Sequence, residues 1–282
     1  MSRVALVTGA SRGIGRAAAL RLAEAGLDVA IASRTVRPGE GRDAYRDGTL
    51  FAGSLEETAA ELEKLGGRVL TLPLDLADRS SVSSAVATVV SELGRIDVLV
   101  NNALFTNAPS SSLVLDLDAD ELLANLEANV VHPMILTREA VKAMRTQGDG
   151  GSVIQVASGV AYRDPPAPSG EGGWAYGYAA NKAALARMAP ILQVEHRDAG
   201  IRSFAIIPGG VATDAFKSAF DEETLQVILK TDGLGLVSID VPAATIEFLA
   251  NSPDAARHAG KVVDCETLCR EHGLLTEEQI RG

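Results

Sequence analysis

Tyr178 and Lys182 stand four residues apart in "YGYAANKAAL", so on a helix their side chains leave one face, one turn apart. A phenol normally holds its proton up to a pKa of about 10. To work as a base near neutrality it needs about 4 kcal/mol of extra stabilisation of its anion. An ammonium one helical turn away can supply much of that. Tyr176 has Ala180 at the matching place and Tyr162 has Pro166. Only Tyr178 has this neighbour in sequence, although a tyrosine and a lysine four apart also occur by chance on many helices.

A second chemical signal lies at the other end of the chain. "VTGASRGIG" places Gly9, Ser11, Arg12, Gly13, Ile14 and Gly15 where an apolar strand turns into a helix. Glycines there let the backbone turn tightly and let a pyrophosphate approach the unpaired N–H groups of the helix start. The spacing is Gly-x-x-x-Gly-x-Gly, and it heads a strand–helix–strand unit, which is the context a dinucleotide site requires.

The elements that must position these groups alternate along the whole chain. Short apolar runs ("VALV", "VAIAS", "VLTLPL", "IDVLVNN", "SVIQVAS", "IRSFAIIPG", "GKVVD") are separated by stretches of helical periodicity. The helices are expected near 14–25, 54–65, 80–93, 118–144, 178–196 and 241–250. Strands this apolar throughout are buried on both faces, as in a parallel sheet covered by helices. The fold class read from this is α/β: one doubly wound parallel sheet of about seven strands in a single domain spanning residues 1–282. Insertions are expected at about 35–53 and 162–176, and a substrate lid at about 214–238. The C-terminal "CETLCREHGLLTEEQIRG" extends past the last strand and is long enough to cover a neighbouring subunit.

Taken in order, these segments resemble the short-chain dehydrogenase/reductase family, a Rossmann-like fold. "LDLAD" resembles the stretch whose aspartate holds the adenine, which implies Asp75 with Leu76. "NNAL" resembles Asn-Asn-Ala-Gly, with Asn102 and Ala103 in place but Leu104 where glycine is usual. "PGGVAT" resembles the motif whose Val211 and Thr213 positions meet the nicotinamide carboxamide, preceded by Pro208 and Gly209. "YAANK" matches Tyr-x-x-x-Lys, which implies that Tyr178 exchanges the hydroxyl proton and that Lys182 holds the nicotinamide ribose and lowers the phenol pKa. Ser158 falls where the family has a serine bonding the substrate oxygen, although the spacing to Tyr178 is longer than usual. Asn129 in "LEANVVHPM" falls where an asparagine holds a water beside the lysine, with Asn125 one turn earlier as its competitor. An asparagine in mid-helix is a poor helix former and calls for a reason.

The resemblance implies a nicotinamide cofactor and hydride transfer between a carbonyl compound and its alcohol. An acidic residue at the end of the second strand would bond the ribose hydroxyls and repel a 2′-phosphate. Ser33 and Arg34 stand there instead, with Arg12 in the glycine loop, and two guanidinium groups can flank a phosphate. NADP(H) is expected over NAD(H), which stays possible. A non-catalytic dinucleotide-binding regulator would need a damaged set of these residues. An epimerase or dehydratase on the same fold is the enzymatic alternative.

Composition limits the partners. The 282 residues carry a formal net charge of −11, which disfavours nucleic acid and anionic membranes. No run approaches the ~18 apolar residues of a membrane span, so a cytoplasmic protein acting on a small molecule is expected, as a homodimer or homotetramer. Cys265 and Cys269 read as free thiols. Asp116, Asp118 and Asp120 imitate a calcium loop, but Glu121 occupies the position that needs glycine. The four histidines are scattered, and no metal is expected.

Overall fold

A computed structural model describes residues 2–41, 43, 45, 48–218 and 236–281. Seven parallel strands form one sheet in the order β3-β2-β1-β4-β5-β6-β9. The strands are β1 (Val4–Thr8), β2 (Asp28–Ser33), β3 (Val69–Pro73), β4 (Val98–Asn101), β5 (Gly151–Val156), β6 (Ile201–Ile207) and β9 (Val262–Asp264). A two-residue pair, β7 (Gly210–Val211) with β8 (Leu236–Val237), stands apart from this sheet and was not foreseen. The central strands are closed to solvent from end to end, β1, β2 and β4 completely. Each fully buried Val, Leu or Ile contributes roughly 1.5–3 kcal/mol, which is why these short runs form strands despite their length.

Helices cover both faces. Against one lie α1 (Gly13–Glu24), α2 (Leu55–Leu62) and α8 (Asp240–Asn251). Against the other lie α3 (Arg79–Leu93) and α5 (His132–Gln147). Also on that side, α6 (Tyr176–His196) packs on β5 and β6. α6 begins two residues earlier than its periodicity suggested, so Tyr176 is helical too. The long helix expected over 118–144 is α4 (Ala119–Leu126), a π turn (Glu127–Val131) and α5 in succession. Asp118 caps its start by accepting from the N–H groups of Asp120 and Glu121, the role the dipole gives an acidic residue there.

The C-terminal segment folds onto its own chain, not outward. α9 (Cys265–His272) and α10 (Glu277–Arg281) pack on α8, Ile280 is fully buried, and its carbonyl accepts from Ser238 N at 2.8 Å. Leu268 and Leu275 bury apolar surface in the same cluster, which explains why this tail stays home. Cys265 and Cys269 are free and buried.

Of the expected lid, α7 (Asp214–Ser218) and Leu236–Val237 with Ser238 are described. Phe220 and the rest of that stretch lie outside the described residues. Among the described residues no helix is long and apolar enough to cross a membrane, and no three metal-ligating side chains come together.

Candidate active site

The strand order reverses between β1 and β4, and ligands of open α/β sheets bind in the crevice beyond the carboxyl ends at that point. The glycine loop follows β1 there. Gly9 has φ +68° and Gly13 φ +56°, backbone that favours glycine. A Cβ on Gly15 would sit 2.3 Å from the carbonyl oxygen of Gly9. The loop is thus packed so closely that only glycine fits at Gly9 and Gly15, and a backbone bare of side chains suits a pyrophosphate lying against it.

Thr8 braces this loop. Its Oγ1 donates to Val100 O (3.2 Å) and accepts from the N–H groups of Asn102 (3.0 Å) and Ala103 (3.1 Å). Asn102 returns the tie by donating Nδ2 to Thr8 O at 2.9 Å. The backbone at Leu104 adopts no left-handed angle, since no non-glycine residue described does. Leu104 is 37% exposed, so leucine is accommodated in place of glycine. On the far side, Gly13 lies against Thr213, to whose Cγ2 its Cβ would be 3.5 Å away. Asp75 and Leu76 sit at the end of β3, and buried His132 donates Nδ1–H to Leu76 O at 2.5 Å. His132 therefore ties the loop at Asp75 and Leu76 to α5, a role that its lone place in the sequence did not signal.

At the end of β2, Ser33 Oγ bonds Ser11 Oγ at 3.0 Å. Arg12 and Arg34 both reach this corner, and the structure adds a residue that sequence reasoning missed. Asp43, from the inserted segment, accepts from Arg34 at 2.7 Å and from Arg12 at 3.5 Å. The span Val29 to Val36 carries no carboxylate, but the insertion folds back and delivers one. The same insertion is tied to the opposite rim by a hydrogen bond from Tyr45 to Asp214.

The chemical groups gather where β5 meets α6. Lys182 is buried, and its ammonium donates to Val156 O at 2.8 Å. The same Nζ lies 5.9 Å from the centre of the Tyr178 ring, the neighbourhood that the four-residue spacing implied. Tyr176 and Tyr162 are 55% and 57% exposed, which removes both as competitors. Burial lowers the Lys182 pKa to about 8, because a charge leaving water is disfavoured. Burial also raises the Tyr178 phenol, and hydrogen bonding with Ser158 pulls it partly back. The direction differs from the depression expected of a lysine neighbour. The ammonium is committed to the Val156 carbonyl, and enclosure of the phenol outweighs the help that reaches it.

Asn129 lies in the π turn, a helix irregularity often found at functional sites. Its amide clamps the segment after β4 like a second peptide: it accepts from Phe105 N and donates to Phe105 O, both at 2.8 Å. The remaining amide hydrogen goes to Asn125 O at 3.1 Å. Asn125 is buried as well and bonds Asn107 and Asn181, while Asn181 Oδ1 is buried without a hydrogen-bond partner. Asn129→Ala is expected to cost on the order of 2 kcal/mol, because two backbone groups of Phe105 lose their partner. A fall in the urea midpoint with an unchanged slope would register this; an unchanged midpoint would remove the clamp.

The short chain dehydrogenase family model matches residues 3–44 and 50–224. The chain is 33% identical over 260 residues to the L-rhamnose 1-dehydrogenase (NAD(P)(+)) of Azotobacter vinelandii, covering 92% of each. It is 30% identical over 265 residues to the cyclohexanol dehydrogenase of Rhodococcus sp., covering 88% of this chain and 89% of the relative. The crystal structure of acetoin dehydrogenase from Salmonella typhimurium superposes with a TM-score of 0.74 at 26% identity, covering 94% of both chains. The family model spans most of the chain, and the chain belongs to the short-chain dehydrogenase/reductase family.

Proposed function

We propose that this protein interconverts a carbonyl compound and its alcohol by hydride transfer, with Tyr178 donating and accepting the hydroxyl proton. The observation that carries the reading is the meeting of Ser158, Tyr178 and buried Lys182 at the carboxyl end of β5. A bound nicotinamide dinucleotide supplies or takes up the hydride. The glycine loop from Gly9 to Gly15, with Thr213 against Gly13, would hold that cofactor, and Val211 would meet its nicotinamide as in the family.

The chain's own residues do the rest. Ser158 directs its hydroxyl at the reacting oxygen and shares the proton network of Tyr178. Tyr178, with its pKa raised by burial, stays protonated through neutrality, which suits the donor in carbonyl reduction. Lys182 brings positive charge behind the phenol and, as in the family, would bond the nicotinamide ribose. Asn129 holds the Phe105 segment in place with both amide hydrogens committed, and its oxygen keeps a second lone pair with which, as in the family, it would hold a water beside Lys182.

Arg12 and Arg34 favour NADP(H), with NAD(H) also accepted, and Asp43 narrows that preference. The relatives named above act on a sugar, a cyclic alcohol and acetoin by their names, so they support the reaction class and leave the substrate open. Trp174 in the insertion at 162–176, Phe216 on α7 and Phe220 further along the expected lid are apolar residues of the segments that would shape the pocket, and they favour a medium-sized apolar carbonyl compound. Exposed Val114, Leu115 and Leu123 favour packing against further copies of the chain, as a homodimer or homotetramer in the cytoplasm.

Loss of absorbance at 340 nm, followed for a panel of carbonyl compounds with NADPH and then NADH, tests the assignment. Steady oxidation of either cofactor is expected; binding without turnover across the panel would favour a regulator, and product formation without net oxidation an epimerase or dehydratase. Ser158→Ala is expected to lower kcat by on the order of 10²-fold, the loss typical of one donor at a developing oxyanion. An unaffected kcat in that assay would remove Ser158 from the reacting oxygen.

A further inference from the structure

The corner formed by Arg12, Arg34 and Asp43 is built, not incidental. The two oxygens of Asp43 each take one guanidinium: Oδ1 accepts from Arg34 at 2.7 Å, and Oδ2 from Arg12 at 3.5 Å. The insertion is fixed against the glycine loop on both sides of this contact. Phe51 N donates to Asp43 O at 2.9 Å, and the Phe51 ring lies 5.6 Å from the Arg12 guanidinium. Arg12 Nη2 donates to Thr35 Oγ1 and Gly53 O, both at 3.2 Å. Gly53 itself touches the loop, since a Cβ there would meet Ser11 O at 2.5 Å. The side chains of Arg12 and Arg34 are only 17% and 28% exposed. Arg12 Nε is buried with no hydrogen-bond partner, a donor left over after the contacts with Asp43, Thr35 and Gly53.

Two guanidinium groups converging on one carboxylate, with a donor to spare, make a site for an anion of greater charge and more oxygens. A phosphate monoester is such an anion, and it bonds the same planar donors. We propose that Asp43 is an internal counter-anion that competes with the 2′-phosphate of NADP(H) for Arg12 and Arg34, and so sets the ratio of affinities for NADP(H) and NAD(H). The proposal rests on the reading of this crevice as a dinucleotide site. A ligand without the 2′-phosphate leaves Asp43 its two partners. One that carries it must take them, and the carboxylate then faces a like charge unless it turns away.

Isothermal titration of the purified chain with NADP+, NAD+, 2′,5′-ADP and ADP tests this without turnover, on the wild type, Asp43→Asn and Asp43→Ala. Both variants are expected to raise the NADP+/NAD+ affinity ratio on the order of 10-fold, the worth of one charge-assisted hydrogen bond. The 2′,5′-ADP/ADP ratio should rise alongside it. A purely structural role for Asp43 would loosen the insertion and weaken all four ligands together, leaving both ratios unmoved. That result, with dinucleotides still bound, overturns the proposal and leaves the functional reading standing. Failure of the wild type to bind either dinucleotide overturns both.

Discussion

Tyr178→Phe is expected to cut turnover on the order of 10²–10⁴-fold, the range that general acid–base catalysis contributes, with NADPH affinity changed less than about threefold. The substitution removes one hydroxyl and keeps the ring in place on α6, so packing against Lys182 survives. What is lost is a phenol that shares hydrogen bonding with Ser158 and lies beside a buried ammonium. Turnover with the best carbonyl compound, paired with fluorescence titration of NADPH, separates the two effects. Turnover at wild-type level would remove Tyr178 as the proton donor. The sign of the pH dependence follows from the raised phenol: carbonyl reduction should hold its rate through neutrality and fall only as the alkaline side is approached. Alcohol oxidation, which needs the phenolate, should gain rate over the same range.

Lys182→Met is expected to change both stability and rate, in opposite directions. Buried in the folded chain, Lys182 titrates at about 8, against roughly 10.4 for an unfolded lysine. Between these values the unfolded chain binds more protons, so this lysine makes stability rise with pH across the window. Below it the cost of burying the charge is fully present, on the order of 3 kcal/mol. Methionine keeps the apolar stem and removes the charge, so the variant should be at least as stable as the wild type at pH 7. The advantage should shrink as pH rises from about 8 to about 10.4. Cys265 and Cys269, raised by burial, work the other way, because their thiols stay protonated in the fold as the unfolded chain loses protons. The difference between wild type and variant cancels that contribution. Urea midpoints for both proteins at pH 7, 8, 9 and 10 read it directly; a constant difference would mean that Lys182 is not held in the low-pKa state. Turnover of the variant should fall on the order of 10²-fold or more, since the phenol loses the charge behind it.

Much of this was open to inspection in the chain itself, for physical reasons that can be named. Strands such as Val4–Thr8 and Asp28–Ser33 are buried at every position, and their unbroken apolar runs Val4–Val7 and Val29–Ala32 imply helices on both sides of a parallel sheet. The Tyr178–Lys182 pairing is a property of one helix, so spacing suffices to read it. The glycines at Gly9, Gly13 and Gly15 announce close backbone approach, and the loop has that form.

What escaped notice depends on distant parts of the chain. Asp43 meets Arg34 only because the inserted segment folds back on the glycine loop, and no local pattern encodes that return. His132 reaches Leu76 across the gap between α5 and the end of β3. The π turn at Asn129 interrupts a helix whose periodicity looks continuous. The phenol of Tyr178 moved opposite to expectation because burial is a property of the packed site, not of a four-residue spacing. The tail from Cys265 packs on α8 through Leu268, Leu275 and Ile280, contacts with distant residues that its own sequence does not announce.

Incubating the protein with NADPH carrying deuterium at both C4 positions and its preferred carbonyl compound, then weighing the alcohol by mass spectrometry, tests the central claim most directly. Transfer of hydride predicts one deuterium on the carbinol carbon of the product, formed in step with cofactor oxidation and lost together with activity in Tyr178→Phe. An alcohol without deuterium, or deuterated alcohol made equally well by Tyr178→Phe, would contradict it.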